Sequence, residues 1–346
     1  MSSRILITGS TGFIGRHLTR DLVSAGHTVR VLARNLQKAR SLFGDTVEVT
    51  MGDLSNFASL KWACAGMDIV YHIGGTFRFG MRRRGEMFRT NVEGTENLFA
   101  AASGAQKIVH VSSASVLDRP QDSSDPWPEL NETDFPSTPP RFSPYKFSKW
   151  EAERRALDWA DHGLPVVIAS LSCPLGYEDE APTPTGQMIR DFIQGRFPCY
   201  CRTGLNFTNV SDVCDGLQRV AQTGRVGERY LLTNQNLWLK DFLDHLADQS
   251  GLPAPRLCLP HWSIQAMGCF GEILDLLNPR SQTARICLET AIQAPKVQFY
   301  DNAKACRELG WSPTSIQSGI QQAVTWFQNK SAQAYPSPRY PVPVKT

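Results

Sequence analysis

Tyr145 and Lys149 stand four residues apart in Tyr145-Lys146-Phe147-Ser148-Lys149, inside a segment patterned as a helix from Pro144 to Asp161. That spacing puts both side chains on one helix face. A phenol with a pKa near 10 is a poor base at neutral pH. An ammonium held about 4 Å away, at an effective dielectric of about 20, favours the phenolate by about 4 kcal/mol before desolvation is subtracted. This corresponds to about three pKa units as an upper bound. Such a pair gives or takes a proton at a carbonyl or carbinol oxygen. An ordinary surface helix shows the same spacing, so the pair acquires meaning only from what accompanies it.

Two further constellations accompany it. Ile5-Leu6-Ile7-Thr8 is an apolar run that enters Gly9-Ser10-Thr11-Gly12-Phe13-Ile14-Gly15, and Arg16 to Ala25 alternate at helical spacing. A strand feeding a helix through a glycine-rich turn cradles a pyrophosphate. Glycine takes up backbone conformations that other residues resist, and the helix N-terminus presents bare N–H groups to the anion. The spacing is G-x-x-G-x-x-G, whereas the commoner dinucleotide turn is G-x-G-x-x-G. Val109-His110-Val111-Ser112-Ser113-Ala114-Ser115 is a second apolar run, ending in hydroxyls at the side of the sheet where ligands bind.

The elements that must hold these residues follow from periodicity. Strands are expected at Thr28 to Ala33, Val47 to Thr50, Ile69 to Ile73, Lys107 to Ser112 and Pro165 to Ser170. Helical patterns fall between them at Ser55 to Ala65 and Phe88 to Ala102, with Pro144 to Asp161 before the last. The alternation predicts a doubly wound parallel α/β sheet. Beyond Leu171 the composition changes. Pro174 to Gly186 reads as a loop, followed by helices at Met188 to Gln194, Val213 to Gln222, Leu239 to Gln249 and Ile264 to Leu277, and a strand at Arg229 to Leu232. We therefore expect a dinucleotide domain over residues 1–172, with a return segment near 205–234. A smaller helix-rich substrate lobe over 173–330 and a proline-rich disordered tail over 331–346 complete the division.

The chain's 346 residues suffice for a large core, and its net charge of +3 does not suggest nucleic acid. No apolar run reaches the length of a membrane span, and a strand begins almost at once, without a signal peptide. Nine cysteines, an odd number without a Cys-x-x-Cys pair, predict reduced thiols and a cytoplasmic protein. No metal site is expected. Met81-Arg82-Arg83-Arg84, flanked by Phe77 and Phe79, reads as a solvated basic loop. The apolar helix Ile264 to Leu277 is expected to pack against the sheet, with contact to a lipid substrate or a membrane surface as the alternative.

Together these motifs resemble the extended short-chain dehydrogenase/reductase family, also called the NAD-dependent epimerase/dehydratase family. The resemblance rests on Thr8 to Gly15, Asp53 in Gly52-Asp53-Leu54, Gly74-Gly75, Thr90-Asn91-Val92-Glu93-Gly94-Thr95, and Tyr145 with Lys149. Pro182 to Gly186, Thr203 to Asn206, Gly227 to Tyr230 and Phe299 to Ala305 are similar to the hopanoid-associated sugar epimerase branch, near the dihydroflavonol 4-reductases. The resemblance implies a Rossmann-type fold and hydride transfer to or from a nicotinamide. It makes Tyr145 the general acid/base and Ser113 the hydroxyl on the reacting oxygen, with Ser112 and Ser115 structural. Lys149 lowers the phenol's pKa and holds the nicotinamide ribose. Gly9, Ser10, Thr11, Gly12, Phe13, Ile14, Gly15, Arg34, Asp53, Leu54, Gly74 and Gly75 fall to the cofactor.

The sequence departs from the family at informative places. The usual Arg-Pro after the sixth strand is Ser170-Leu171, and the usual Tyr-Gly after the catalytic strand is Leu117-Asp118. The Arg-Asp-Phe of nucleotide-sugar enzymes is Leu205-Asn206-Phe207, which removes a diphosphate clamp. Ala114-Ser115 lacks the acid of sugar dehydratases. The second strand ends Ala33-Arg34-Asn35, without the acid that binds the ribose of NAD, and Arg34 is placed for a 2′-phosphate. NADP(H) is thus favoured, with NAD(H) admitted. The expected activity is reduction of a carbonyl or oxidation of a secondary alcohol on a sugar, lipid-linked or flavonoid-like substrate. Two alternatives stay open, an epimerase with tightly held NAD and a non-catalytic nucleotide sensor. A homodimer also stays open.

Overall fold

The structure, a computed structural model, describes residues 2–77, 84–119, 124–140, 142–277 and 288–334. Met81 to Arg83, Phe79 and residues 335–346 lie outside the described residues. The first half alternates strand and helix: β1 (Arg4–Thr8), α1 (Phe13–Ser24), β2 (Thr28–Ala33), α2 (Leu36–Phe43), β3 (Glu48–Met51), α3 (Phe57–Cys64) and β4 (Ile69–His72). The chain continues through α4 (Arg84–Phe88), a π-helical turn (Arg89–Glu93), α5 (Gly94–Ala101), β5 (Lys107–Ser113), α6 (Pro144–Asp161) and β6 (Val166–Leu171). The expected helix Phe88 to Ala102 is therefore broken by the π-helical turn, and it is preceded by α4.

The second half comprises β7 (Cys173–Leu175), α7 (Pro184–Ile193), β8 (Cys199–Cys201), β9 (Gly204–Asn209), α8 (Val210–Thr223), β10 (Arg229–Leu232), β11 (Gln235–Trp238) and α9 (Leu239–Ser250). After these come β12 (Leu257–Leu259), α10 (His261–Leu277), α11 (Leu288–Gln293), α12 (Ala303–Leu309) and α13 (Gln317–Ala334). Helix α13 runs into the stretch expected to be tail, because Ile320, Ala323, Val324 and Phe327 pack one face of it into the lobe's core. The segment read as a loop from Pro174 to Gly186 contains part of β7 and the start of α7, which Thr183 caps by accepting from the Gly186 N–H at 3.1 Å.

Seven strands form one sheet in the order β3-β2-β1-β4-β5-β6-β10, every pair parallel. Alternate residues of β1 face opposite sides. Ile5 and Ile7 join α1 and α8, whereas Leu6 joins α3, α5 and α6. Each fully buried side chain of this kind contributes roughly 1.5–3 kcal/mol relative to exposure. The strand order reverses between β1 and β4, and the crevice beyond their C-terminal ends is where a sheet of this kind takes its ligand. The smaller lobe packs α7, α9 and α13 against β7, β9 and β11, with Phe207 stacked on Phe242 at 4.0 Å between ring centroids.

The return of β10 to the sheet also locks α6. Arg229 forms a buried ion pair with Glu153 of α6, whose other carboxylate oxygen accepts from Ser112 of β5. Removing one partner strands the other charge in the interior. Glu153→Ala is expected to cost about 3–5 kcal/mol, read as a fall in the urea midpoint with an unchanged slope. A loss under about 1 kcal/mol, the scale of surface pairs, would show that solvent reaches the pair.

Candidate active site

The glycine turn closes on itself at the end of β1. Gly12 N–H donates to the Gly9 carbonyl at 3.0 Å, and Arg16 N–H donates to the Gly12 carbonyl at 3.1 Å as α1 begins. Gly9 has φ +72°, and a Cβ there would lie 2.7 Å from the Gly74 backbone nitrogen. A Cβ on Gly15 would lie 2.2 Å from the Gly9 carbonyl oxygen. The turn of β1, the strand end of β4 and the first turn of α1 are thus in backbone contact. Gly12 stands at the N-cap of α1 without a side-chain cap. The hydroxyl of Ser10 is buried and has no hydrogen-bond partner among the described residues. An uncapped helix N-terminus beside an orphaned buried hydroxyl fits a phosphate group.

Arg34 and Asp53 meet at the ends of β2 and β3. The guanidinium lies 3.8 Å from the carboxylate, and the Arg34 side chain is 81% exposed. Asp53 also accepts from the Ser55 N–H at 2.9 Å and the Ser55 hydroxyl at 2.7 Å. Burial pushes the Asp53 carboxyl up, but these hydrogen bonds and the Arg34 charge outweigh it and hold it below the usual range. Such an exposed ion pair is worth little in stability, which leaves Arg34 able to meet another anion.

A directional chain of hydrogen bonds braces the strand ends. Gly74 N–H donates to Thr8 Oγ1 at 3.1 Å, and Thr8 Oγ1 meets His72 Nδ1 at 2.9 Å. His72 Nε2 meets Thr95 Oγ1 at 2.9 Å, and that hydroxyl donates to the Asn91 carbonyl at 2.6 Å. The partners assign the proton to Nε2. Burial, aided by the Lys149 charge, lowers the His72 pKa to about 3, so the ring stays neutral and fills both roles. Asn91 sits in the π-helical turn, and its amide donates to the Thr76 carbonyl at 2.9 Å and to Ser148 Oγ at 3.0 Å. Ser148 in turn donates to the Tyr145 carbonyl at 2.8 Å. One buried amide therefore fastens the loop after β4 to the helix that bears Tyr145 and Lys149. Neither His72 nor Ser148 was marked by its sequence surroundings.

Tyr145 and Ser113 are brought together, and the Ser113 hydroxyl bonds to the phenol. Ser115 Oγ lies 2.9 Å from Ser113 Oγ and so braces the hydroxyl that faces Tyr145. The Lys149 ammonium donates to the Val111 carbonyl at 3.0 Å, and a Cβ on Gly75 would lie 3.7 Å from it. Burial lowers the Lys149 pKa to about 8, against the raising influence of Glu153. Burial raises Tyr145, the Ser113 hydrogen bond lowers it, and Cys173 and Glu289 raise it further. The lysine ammonium is taken up by a backbone carbonyl.

The lobe adds Cys173, which the sequence did not mark, and Tyr300, which it marked only within Phe299 to Ala305. Cys173 opens β7 and bonds to Thr185. Tyr300 is buried, and its phenol feels Cys173, Asp118 and Tyr145. Asn206, where nucleotide-sugar enzymes resembling this chain carry a charged segment, is committed to the fold. Its amide donates to Asn236 Oδ1 at 2.7 Å, and its oxygen accepts from the Asn234 N–H at 3.0 Å. A polar surface cavity of about 520 Å³, lined by Glu129, Asn236, Asp301 and Thr314 among others, shares Tyr300 with this neighbourhood. It includes none of the turn glycines, Ser113, Tyr145 or Lys149.

Residues 5–232 match the NAD dependent epimerase/dehydratase family. The chain belongs to that family and is an oxidoreductase of the extended short-chain dehydrogenase/reductase type. It is 32% identical to a Synechocystis sp. protein named putative dihydroflavonol 4-reductase, over 95% of this chain and 96% of that one. It is 30% identical to sterol demethylase protein B of Methylococcus capsulatus, over 94% of this chain and 98% of that one. The solved structure of a nucleoside-diphosphate-sugar epimerase from Pseudomonas aeruginosa superposes with a TM-score of 0.77 at 26% identity, covering 95% of this chain and 99% of that one. Among the described residues no helix is long and apolar enough to cross a membrane.

Proposed function

We propose that the chain reduces a carbonyl, or in reverse oxidises a secondary alcohol, on a small-molecule substrate, with NADP(H) preferred over NAD(H). The observation that carries this is the hydrogen-bonded pair of Ser113 and Tyr145 at the C-terminal end of β5, with the Lys149 ammonium one helical turn on and beside Gly75. The turn Gly9 to Gly15 with Ser10 would hold the pyrophosphate, Asp53 and Leu54 the adenine, Arg34 the 2′-phosphate, and Lys149 the nicotinamide ribose. The bound nicotinamide supplies or accepts the hydride. Tyr145 donates the proton to the reacting oxygen in reduction and accepts it in oxidation. Ser113, steadied by Ser115, hydrogen-bonds the same oxygen. Burial keeps the phenol protonated at neutral pH, which suits the reductive direction.

The name of the Synechocystis relative supports reduction, and the name of the Pseudomonas aeruginosa structure supports an epimerase built on the same constellation. Leu205 favours the former, because it stands where nucleotide-sugar enzymes carry the arginine and brings no charge to a nucleotide diphosphate, and Asn206 beside it is engaged by Asn234 and Asn236. The test is a panel of ketones and sugar or lipid alcohols, followed by absorbance of the reduced cofactor, together with mass spectrometry of the nucleotide that co-purifies. Net cofactor oxidation on a ketone supports the reductase. Firmly retained NAD with no net redox change would overturn it in favour of the epimerase.

Cofactor choice gives a separate prediction. Losing a charged hydrogen bond costs about 1.5–3 kcal/mol, or roughly tenfold to a hundredfold in affinity. Arg34→Ser is expected to weaken NADPH by that factor and leave NADH within about twofold, measured by fluorescence titration. Arg34→Asp is the less clean test, since Asp53 lies 3.8 Å from the guanidinium and would face a second carboxylate. Wild-type protein that binds NADH more tightly than NADPH removes Arg34 from this role.

A further inference from the structure

Helix α6 starts in an unusual way. Ser143 caps it by accepting from the Lys146 N–H at 3.1 Å, and Pro144 occupies its first turn. A carboxylate from outside the dinucleotide domain then closes over that turn. Glu289 of α11, 144 residues from Tyr145, accepts from the Tyr145 N–H at 2.9 Å and from the Ser143 hydroxyl, both through Oε1. The residue is 5% exposed, and its other oxygen, Oε2, is buried with no hydrogen-bond partner among the described residues. A negative charge is favoured at this place by the positive end of an 18-residue helix.

We propose that Glu289 is a positioning residue of the redox site: α11 seats its carboxylate on the first turn of α6, and docking of the C-terminal lobe thereby fixes Tyr145. This rests on the reading of Tyr145 as the proton donor. The backbone nitrogen that Glu289 holds belongs to Tyr145 itself, so the contact sets the start of the helix from which the phenol projects. The same carboxylate acts on the phenol through its charge, holding it toward the protonated form. Ser113 at the end of β5, Cys173 of β7 and Tyr300 ahead of α12 also face the phenol, and the Lys149 ammonium stands on the same face of α6. On α6 itself, Lys146 carries a pKa lowered to about 8 by burial and by Lys296, against Asp118 and Glu289. A substrate lobe that supplies a group to the catalytic helix links the two halves of the chain chemically as well as mechanically.

The experiment titrates Tyr145 in the cofactor-loaded protein by tyrosinate absorbance, as the difference between each protein and the same protein carrying Tyr145→Phe. The pH profile of kcat is recorded on the best ketone of the panel. Glu289→Gln keeps the shape and an acceptor oxygen but removes the charge. It is expected to move the Tyr145 midpoint down by about one pH unit, a tenfold change in phenolate fraction, and to lower kcat. Unchanged midpoint and kcat overturn the proposal, as does a lower kcat with an unmoved midpoint, which reduces Glu289 to a packing contact. Should Glu289→Gln fail to fold, Glu289→Asp draws the charge back by one methylene. A lower midpoint with lower kcat in that variant supports the proposal, and wild-type values overturn it. Full turnover by Tyr145→Phe alone defeats the redox reading, while the absorbance difference still decides whether Glu289 acts on Tyr145.

Discussion

Tyr145→Phe is expected to retain the fold and bind cofactor within a few-fold of wild type, yet lose about 10²- to 10⁴-fold in kcat, the range of a positioned general acid. The substitution removes one oxygen, and that oxygen is the partner of the Ser113 hydroxyl. The backbone of residue 145 is untouched, so the Glu289 contact to its N–H and the Ser148 contact to its carbonyl persist. Ser113→Ala is expected to cost less, about 10²-fold, the scale of a single hydrogen bond to a developing oxyanion. Lys149→Met differs in kind. It should raise the cofactor Kd as well as lower kcat, because the ammonium stands beside Gly75 and is the proposed ligand of the nicotinamide ribose. The pH dependence follows from the same lysine. Its pKa is about 8, so the ammonium is present below that pH and lost above it, and cofactor affinity should decline as pH rises through 8. Stopped-flow hydride transfer, with Kd read separately, distinguishes these cases. A Tyr145→Phe protein with wild-type kcat would remove the phenol from the chemistry.

How much of this was legible in the chain differs by element. The bounds of α6 were readable because Ser143 and Pro144 announce a helix start and the following residues hold their period. The glycine turn was readable because backbone geometry, more than packing, dictates its residues. The short strands β8, β9, β11 and β12 were not marked. Three or four residues pair there only because distant segments meet, as when Gln235 to Trp238 align against Gly204 to Phe207. The π-helical turn at Asn91 escaped for a similar reason. Its residues satisfy a helical pattern, and the widened turn is fixed by Thr76 and Ser148, which lie 15 and 57 residues away. The role of Lys149 was half legible. Spacing placed it on the face of Tyr145, but the Val111 carbonyl that accepts from it belongs to strand β5, and the depth of burial that governs the phenol is a property of the assembled lobes. Glu289 had no local signal at all, since an acid becomes a helix cap only by virtue of what the fold sets beneath it.

The glycine turn yields the other large effect. Gly9→Val is expected to abolish measurable cofactor binding and also to destabilise the protein. At φ +72° a Cβ meets Gly74 N at 2.7 Å and Gly74 Cα at 2.9 Å, so two strand ends must part. Left-handed backbone at a non-glycine residue costs about 1–2 kcal/mol, and overpacking adds about 1–3 kcal/mol. Loss of binding in such a variant does not by itself separate a missing ligand contact from a disturbed sheet. Ser10→Ala separates them. Its hydroxyl is buried and unpartnered among the described residues, so removing it relieves an orphaned group, and the melting temperature without cofactor should hold or rise. With cofactor present the same change would remove the proposed donor to the pyrophosphate, at about 1.5–3 kcal/mol for a hydrogen bond to a charged group. For Ser10→Ala the calorimetric affinity therefore falls while the melting temperature without cofactor holds or rises, whereas for Gly9→Val both fall. If Ser10→Ala binds cofactor as tightly as wild type, the orphaned hydroxyl belongs to something other than the phosphate, and the cradle narrows to the backbone N–H groups at the start of α1.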